Sequence, residues 1–298
     1  METSKKFHSK KHGTQPNVDD TLSTILGETE KTSLDAQDAS SGASPQDNEG
    51  LRAKYDEMHS QGPTAWFSDG QNEREMILAI GEPWAGRHVL EIGCGEGDLT
   101  SMIWQAGGGC TGIDYSMEAI RKAHEKFPES TDILLWMPYK AMEGKFQRIA
   151  MQGVLEHLDE PFVEFGWVIQ NLLLPGGDVI TSSPGFINPR GFVWMALHMA
   201  GAVMSKTDLH HLNPWDFEKF CSDNGYRLTY QSTDMAWASS DDMIKDLAQR
   251  LPLALRDGKI SYEPERLQAF LSWLEKAGPL IPLDRKWGGA SVVYRIET

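Results

Sequence analysis

The sequence is poor in cysteine. Its three, Cys94, Cys110 and Cys221, have spacings that suit neither a zinc site nor a disulfide framework. That excludes the small disulfide-stapled class and fits a reducing compartment, so a cytoplasmic location is expected. Basic residues are scarce too: 28 Lys and Arg stand against 43 Asp and Glu, for a formal net charge of −15. A field of that sign repels phosphate backbones, and the one basic grouping, SKKFHSKKH near the N-terminus, is offset by acids that follow it. No nucleic-acid partner is therefore expected. Long apolar runs are missing as well. The longest, GFVWMALHMAGAVM at 191–204, is too short to cross a bilayer and contains His198, so no stable membrane insertion is expected. The first 50 residues have no aromatic except Phe7 and no apolar core of a secretory signal. They cannot bury enough surface to offset their ordering entropy, and residues 1–50 are read as a disordered tail.

What remains is an alternation of strand and helix signals from about residue 72. RHVLEIG, CTGIDYS, DILLWM, FQRIAMQGV and DVITSSP read as strands. REMILAIG, DLTSMIWQAGG, SMEAIRKAHEKFP and EPFVEFGWVIQNLLLPGG read as helices between and before them. YRLTYQST and GASVVYRIE make a sixth and a last strand, and Asn213, Pro214 and Gly225 bracket another helix. Residues 238–284 read as a helical insertion before the last strand. This is the pattern of an α/β fold: a Rossmann-like, seven-stranded sheet with helices on both faces. Ligands of such sheets bind at the carboxyl ends of the strands.

One of those ends carries HVLEIGCGEGDLT, with Gly93, Gly95 and Gly97 at alternate positions. Glycines let the backbone approach a ligand, and the helix that follows points free N–H groups at it. The spacing differs from the G-x-G-x-x-G of a dinucleotide loop, and no Gly-Lys-Ser/Thr of a phosphate loop follows. Glu91 stands just before the glycines. A carboxylate there repels a pyrophosphate and attracts an ammonium group. Asp114, at the end of the next strand, has the lone pairs to receive a ribose diol. An amino acid joined to a ribonucleoside satisfies both acids, and S-adenosylmethionine (SAM) is such a molecule.

VLEIGCGEGDLT, GIDYS, GVLEHL, LLLPGGDVITSSP and LHHLNPWDFEKFCSDNGY resemble successive motifs of class I SAM-dependent methyltransferases. They are most similar to the branch that includes the ubiquinone-biosynthesis O-methyltransferases and related small-molecule enzymes. The similarity covers roughly residues 72–232 and the final strand; none of the motifs is specific for a substrate. It implies that Gly93, Cys94 and Gly95 line the methionine part of SAM and that Asp114 holds the ribose. It also implies that Tyr115 and Ser116 lie beside the adenine, and that Gln152 and Gly153 face the sulfonium. Many relatives place an acid after the third strand to bind the adenine amino group. Here the segment is LLWMPYKAM, with no acid, and Trp136, Met137 and Pro138 are read either as a purine platform or as ordinary core.

Methyl transfer needs an in-line nucleophile, a dry pocket and a base for a hydroxyl or protonated amine. His157, His210 and His211 are the candidate bases, His157 first because it follows the fourth strand; each also has a structural reading, as does His198 on the apolar helix. Some relatives carry E-x-x-E-H at this point and bind a divalent ion. In Gly153-Val154-Leu155-Glu156-His157 the first Glu is missing, so a metal built from Glu156, His157 and His210 or His211 is the weaker alternative.

Residues 51–298 are expected to form one methyltransferase domain. Segments 51–75, with Tyr55, His59, Trp66 and Phe67, and 185–211, with Asn188, Arg190, Trp194 and Met195, are expected as lids. Arg190 is read as the holder of an anionic acceptor group or as a solvent-facing side chain. The insertion widens the lid or makes a homodimer contact. The expected activity is methyl transfer from SAM to a small molecule, a phenol, quinone or sugar, most plausibly on oxygen. The rivals are nitrogen or carbon transfer and a non-catalytic SAM-binding scaffold.

Overall fold

The computed structural model describes residues 48–61, 70–202 and 207–298. The expected tail therefore lies outside the described residues up to position 47, as do Trp66 and Phe67. The first element, α1 (Asn48–Gln61), starts just before the expected domain boundary. Then come α2 (Gln71–Gly81), β1 (His88–Ile92), α3 (Asp98–Gln105), β2 (Gly109–Asp114), α4 (Met117–Lys126), β3 (Leu134–Trp136), β4 (Phe146–Gln152), α5 (Pro161–Leu172) and β5 (Leu173–Pro184). The chain continues through α6 (Pro189–Met199), α7 (Pro214–Asn224), β6 (Arg227–Thr233), α8 (Met235–Ser239), α9 (Asp241–Asp257), α10 (Pro264–Ala277) and β7 (Ser291–Glu297).

The strands form one seven-stranded sheet in the order β3-β2-β1-β4-β5-β7-β6. β1 to β5 pair in parallel, and β7 runs antiparallel between β5 and β6. The strand order reverses between β1 and β4, so the loops after these strands and after β2 share one end of the sheet. The expected α/β architecture, the seven strands and the helical insertion are all present.

Alternating side chains make both faces apolar. Leu90, Ile149, Val179 and Val292 enter a core with Phe165 and Val168 of α5 and Phe217 of α7. Their neighbours Val89, Ala150, Ile180 and Val293 enter a second core with Ile77 of α2 and Leu99 and Ile103 of α3. That period of two under helices on both sides is why these strands read as continuous apolar runs. Phe217 stacks on Tyr294 with ring centroids 3.8 Å apart. Helix boundaries follow local chemistry: the Ser116 hydroxyl accepts from the Ala119 amide at 3.1 Å as N-cap of α4. Pro214 opens α7, and Gly225 closes it at φ +72°.

Two boundaries differ from the sequence reading. LLLPGG was expected to end a helix, yet β5 already begins at Leu173, which pairs with Phe146 across a register shift. β3 is only Leu134–Trp136, an edge strand with one partner. The insertion packs its own core on α6. Phe186 and Trp194 meet Met243, Leu247 and Leu251 of α9 and Leu271 and Leu274 of α10. Beyond that core, Trp273 is 60% exposed.

At the amino end of the sheet Arg148 is fully buried. It donates to Asp178 at 2.8 and 2.6 Å, to the Gly81 carbonyl, and stacks on Trp84 at 4.5 Å. Arg295 reaches the same carboxylate at 2.8 Å. Breaking one side of a buried pair leaves the other charge uncompensated, at a cost of about 3–5 kcal/mol. Asp178→Ala is expected to lose about that much stability by urea denaturation. A loss below about 1 kcal/mol would show that water replaces the carboxylate at this site.

Candidate active site

The glycine loop joins β1 to α3 and is tied to the end of β2. The Gly93 and Cys94 amides donate to the Ile113 carbonyl at 2.8 and 3.0 Å. Gly93 holds φ +75°, and a Cβ there would come within 2.7 Å of Val154 Cγ2, so conformation and space both require glycine. The Gly95 amide donates to Asp114 Oδ2 at 2.9 Å, and the Ser116 amide to Asp114 Oδ1 at 2.8 Å. Asp114 is thus fixed with both carboxylate oxygens at the carboxyl end of β2, with lone pairs remaining on each. Burial pushes its pKa up and the two amides pull it down.

Glu91 lies under the loop, 2% exposed, where it receives the Thr100 hydroxyl. Burial pushes its carboxyl up to about 8. Cys94 points its thiol away, into a small core with Ile120, Ala123 and Leu134, which leaves only its backbone for a ligand. Tyr115 has a buried hydroxyl without a hydrogen-bond partner. Trp136 is 53% exposed and donates from Nε1 to the Tyr115 carbonyl at 2.9 Å, while the Met137 amide donates to the Asp114 carbonyl at 2.9 Å. The Ser116 hydroxyl is used twice, as the α4 cap and as donor to Asp56 Oδ1 at 2.5 Å.

Of the first expected lid the structure describes α1 and the start of α2, and α1 contacts this end of the sheet. Tyr55 stands edge-on to Tyr115 at 5.8 Å and to His157 at 5.6 Å. His59 Nδ1 is 3.3 Å from Glu96 Oε1 in the glycine loop. Asp56 takes the Glu118 amide at 3.2 Å as well as Ser116. Little more than one turn of the helix, residues 55–59, therefore touches the glycine loop, the β2 end and the β4 end.

After β4, Gln152 donates to Glu73 Oε2 at 2.9 Å, and Gly153 holds φ +60°. A short 3-10 turn, Leu155–His157, follows. His157 Nδ1 lies 3.3 Å from Asp208 Oδ1, and the ring also meets the backbone of Thr207 and Gly153. Burial lowers its pKa, while Asp208 and these backbone groups raise it. The three candidate histidines do not converge. His210 Nε2 is 3.0 Å from the Asp159 carbonyl, and His211 packs against His198 at 4.5 Å and Phe186 at 4.8 Å. His198 thus packs its ring on His211, as a structural residue of α6.

Three residues expected at the second lid are corrected, the first being Trp194, which is 1% exposed in the core of the insertion. Arg190 neither faces solvent nor waits for an anion: it is 7% exposed, with Nε 2.7 Å from Asp246 Oδ2 in the insertion. Asn188 is the N-cap of α6, accepting from Gly191 and donating to the Gly185 and Gly289 carbonyls. Asp56, Glu73 and Asp208 were not anticipated; each is a charged residue whose partner lies far away in the chain. Among the described residues, no three His, Cys, Asp or Glu side chains are arranged to hold a metal ion, and no helix is long and apolar enough to cross a membrane.

Residues 89–177 match the family model of a methyltransferase domain. The sheet order and the glycine loop agree with that match, and the fold is the α/β fold expected of a class I SAM-dependent methyltransferase. Its curated relatives include the ubiquinone biosynthesis O-methyltransferase of Psychrobacter cryohalolentis, 30% identical over 43% of this chain and 49% of that one. That of Psychrobacter arcticus is 28% identical over 53% of this chain and 64% of that one. The chain thus spans about half to two thirds of the length of these relatives. Among solved structures, a chain of the complex between the Haloferax volcanii Trm112 methyltransferase activator and a methyltransferase shares the fold. Its TM-score is 0.51 at 14% identity, covering 83% of this chain and 96% of that one.

Two measurements test this site. Asp114→Ala removes a charged acceptor worth about 1.5–3 kcal/mol per hydrogen bond, so S-adenosylhomocysteine (SAH) should bind at least about tenfold more weakly. Unchanged affinity by calorimetry would remove Asp114 from the nucleoside site. Glu91 has a folded pKa of about 8, above its ordinary 4.5. The native state therefore holds more protons than the unfolded chain between those values, and stability falls as pH rises through the window. Urea midpoints at pH 5.5 and 7.5 should drop less in Glu91→Gln than in the wild type. Equal drops would mean that Glu91 is ionised in the free protein.

Proposed function

We propose that this chain transfers the methyl group of SAM to an oxygen of a small-molecule acceptor. The observation that carries the proposal is the joint placement of Asp114 and the glycine loop at the switch in strand order. The printed name of the curated relatives, ubiquinone biosynthesis O-methyltransferase, supports oxygen as the accepting atom.

In this reading Asp114 takes the ribose hydroxyls on the lone pairs that Gly95 and Ser116 leave open. Glu91, protonated in the empty site, gives up its proton when an ammonium group arrives, because the opposite charge offsets the cost of burial. Tyr115, Trp136 and Met137 form the purine side. The free backbone of Gly93, Cys94 and Gly95 lines the methionine side, and Gln152 and Gly153 line the way to the acceptor. Ser116 acts through the α4 cap. When bound, SAM would supply an electrophilic methyl group: an acceptor oxygen would attack its carbon in line, the C–O bond forming as the C–S bond breaks and SAH leaves.

His157 takes the acceptor's proton. Burial keeps its ring neutral beforehand, and a proton that arrives is held by Asp208 and by the backbone of Thr207 and Gly153. His210 and His211 line the second wall rather than share this proton. Tyr55 closes the site against water, which would weaken every electrostatic contact inside.

Calorimetric titration of the purified chain with SAH, with NAD as control, tests the cofactor. Micromolar binding of SAH and none of NAD is expected; binding of NAD alone would overturn the proposal. His157→Ala should keep SAH affinity within twofold while transfer falls by about 10²–10⁴-fold, the usual share of a general base. Full activity would remove His157 from that role.

A further inference from the structure

The methyl-transfer reading leaves Glu156 unused, and its surroundings are unusual. Glu156 is 3% exposed, yet its Oε2 has no hydrogen-bond partner. A buried polar atom left unpaired costs about 1–3 kcal/mol, more when charged. The residue is not free to turn away. Its own carbonyl takes the Leu209 amide at 2.8 Å and the His210 amide at 3.1 Å, which pins it to the 207–210 segment. Oε1 lies 3.5 Å from the point where a Cβ on Gly153 would stand, so the carboxyl faces the gap that glycine leaves.

Two more carboxylates act on Glu156 from neighbouring segments. Glu73 is held on the Gln152 amide at 2.9 Å, next to Gly153. Asp208 is held at 3.3 Å from His157. Both act on Glu156 in the direction that opposes its charge, and burial does so more strongly. Arg74 offsets Glu73, and Asp208 faces Arg250. Aromatic rings complete the wall, Tyr55 lying edge-on to both His157 and Tyr115. Like charges gathered in a dry place call for a positive occupant. The described side chains do not converge on a metal-sized point. A carboxyl beside aromatic rings instead suits a larger, more diffuse cation such as an ammonium group.

We propose that Glu156 receives a protonated amino group of the acceptor, so that the substrates of this site are amine-bearing small molecules. The inference rests on the methyl-transfer reading, with the amine as the recognition handle and the oxygen as the methylated atom. No atom of the amine reacts. Its charge is neutralised at Glu156, while its distance from the hydroxyl sets which oxygen meets His157.

The test is a calorimetric titration of the full chain, saturated with SAH, using tyramine and 4-ethylphenol. The two share a phenol and differ in the ammonium group. Tyramine should bind at least tenfold more tightly to the wild type. Glu156→Gln should bring the two within twofold of each other and leave SAH affinity unchanged. Equal binding of the pair by the wild type would overturn the proposal, and so would a preference that survives in Glu156→Gln. A third contrary result is a loss of SAM affinity without loss of SAH affinity in the variant, which would assign Glu156 to the sulfonium. A fourth is a magnesium-dependent rise in Tm that the variant abolishes, which would assign it to a metal. If SAH fails to bind, the methyl-transfer reading fails, and the same pair titrated without cofactor still decides this inference.

Discussion

Asp114 accepts the Gly95 amide on one carboxylate oxygen and the Ser116 amide on the other. Those two bonds join the three parts that must agree before a nucleoside can be held: the glycine loop, the end of β2 and the start of α4. The loop's conformation is possible only because Gly93 and Gly95 have positive φ. The start of α4 is possible only because Ser116 caps it, and Asp56 of α1 secures that cap from outside. Helix α1 therefore bonds the same serine whose amide holds Asp114.

The second organising constraint is charge. The body is acidic overall, and the site gathers Glu73, Glu91, Asp114 and Glu156 in places where burial raises the cost of ionisation. Glu91 and Asp114 have hydrogen-bond donors of their own, Thr100 for the first and two backbone amides for the second. Glu156 has none on Oε2. The opposite end of the sheet solves a similar problem differently, with Arg148 and Arg295 on the single carboxylate of Asp178. That end is a structural clamp with its charges satisfied, whereas the carboxyl end leaves a buried carboxylate oxygen of Glu156 unpaired.

Much of this was legible because it is local. The glycine loop, the acid before it and the strand-end Asp114 are separated by distances the chain itself sets. The alternation of Val89 with Leu90, or of Val292 with Val293, announces strands covered on both faces. What escaped the sequence depends on partners far apart. Arg190 looks like an anion site until Asp246 arrives from the insertion, 56 positions later. The helical look of LLLPGG yields to pairing with Phe146 on a neighbouring strand. The bond from the Ser116 hydroxyl to Asp56 of α1 joins residues 60 positions apart, and no local pattern announces it. Asp208 stands two residues from His210 in the sequence but faces His157, a contact that no periodicity encodes.

The central claim is that the nucleoside end of SAM lies on Asp114 and its sulfur faces the Gly153–His157 turn. A crystal structure of the full chain with SAH tests it most directly. The account predicts the ribose hydroxyls within hydrogen-bond distance of Asp114, with the Gly95 and Ser116 bonds intact, and the sulfur directed toward Gly153 beneath Tyr55. SAH bound elsewhere, or bound here with its ribose away from Asp114, would contradict it.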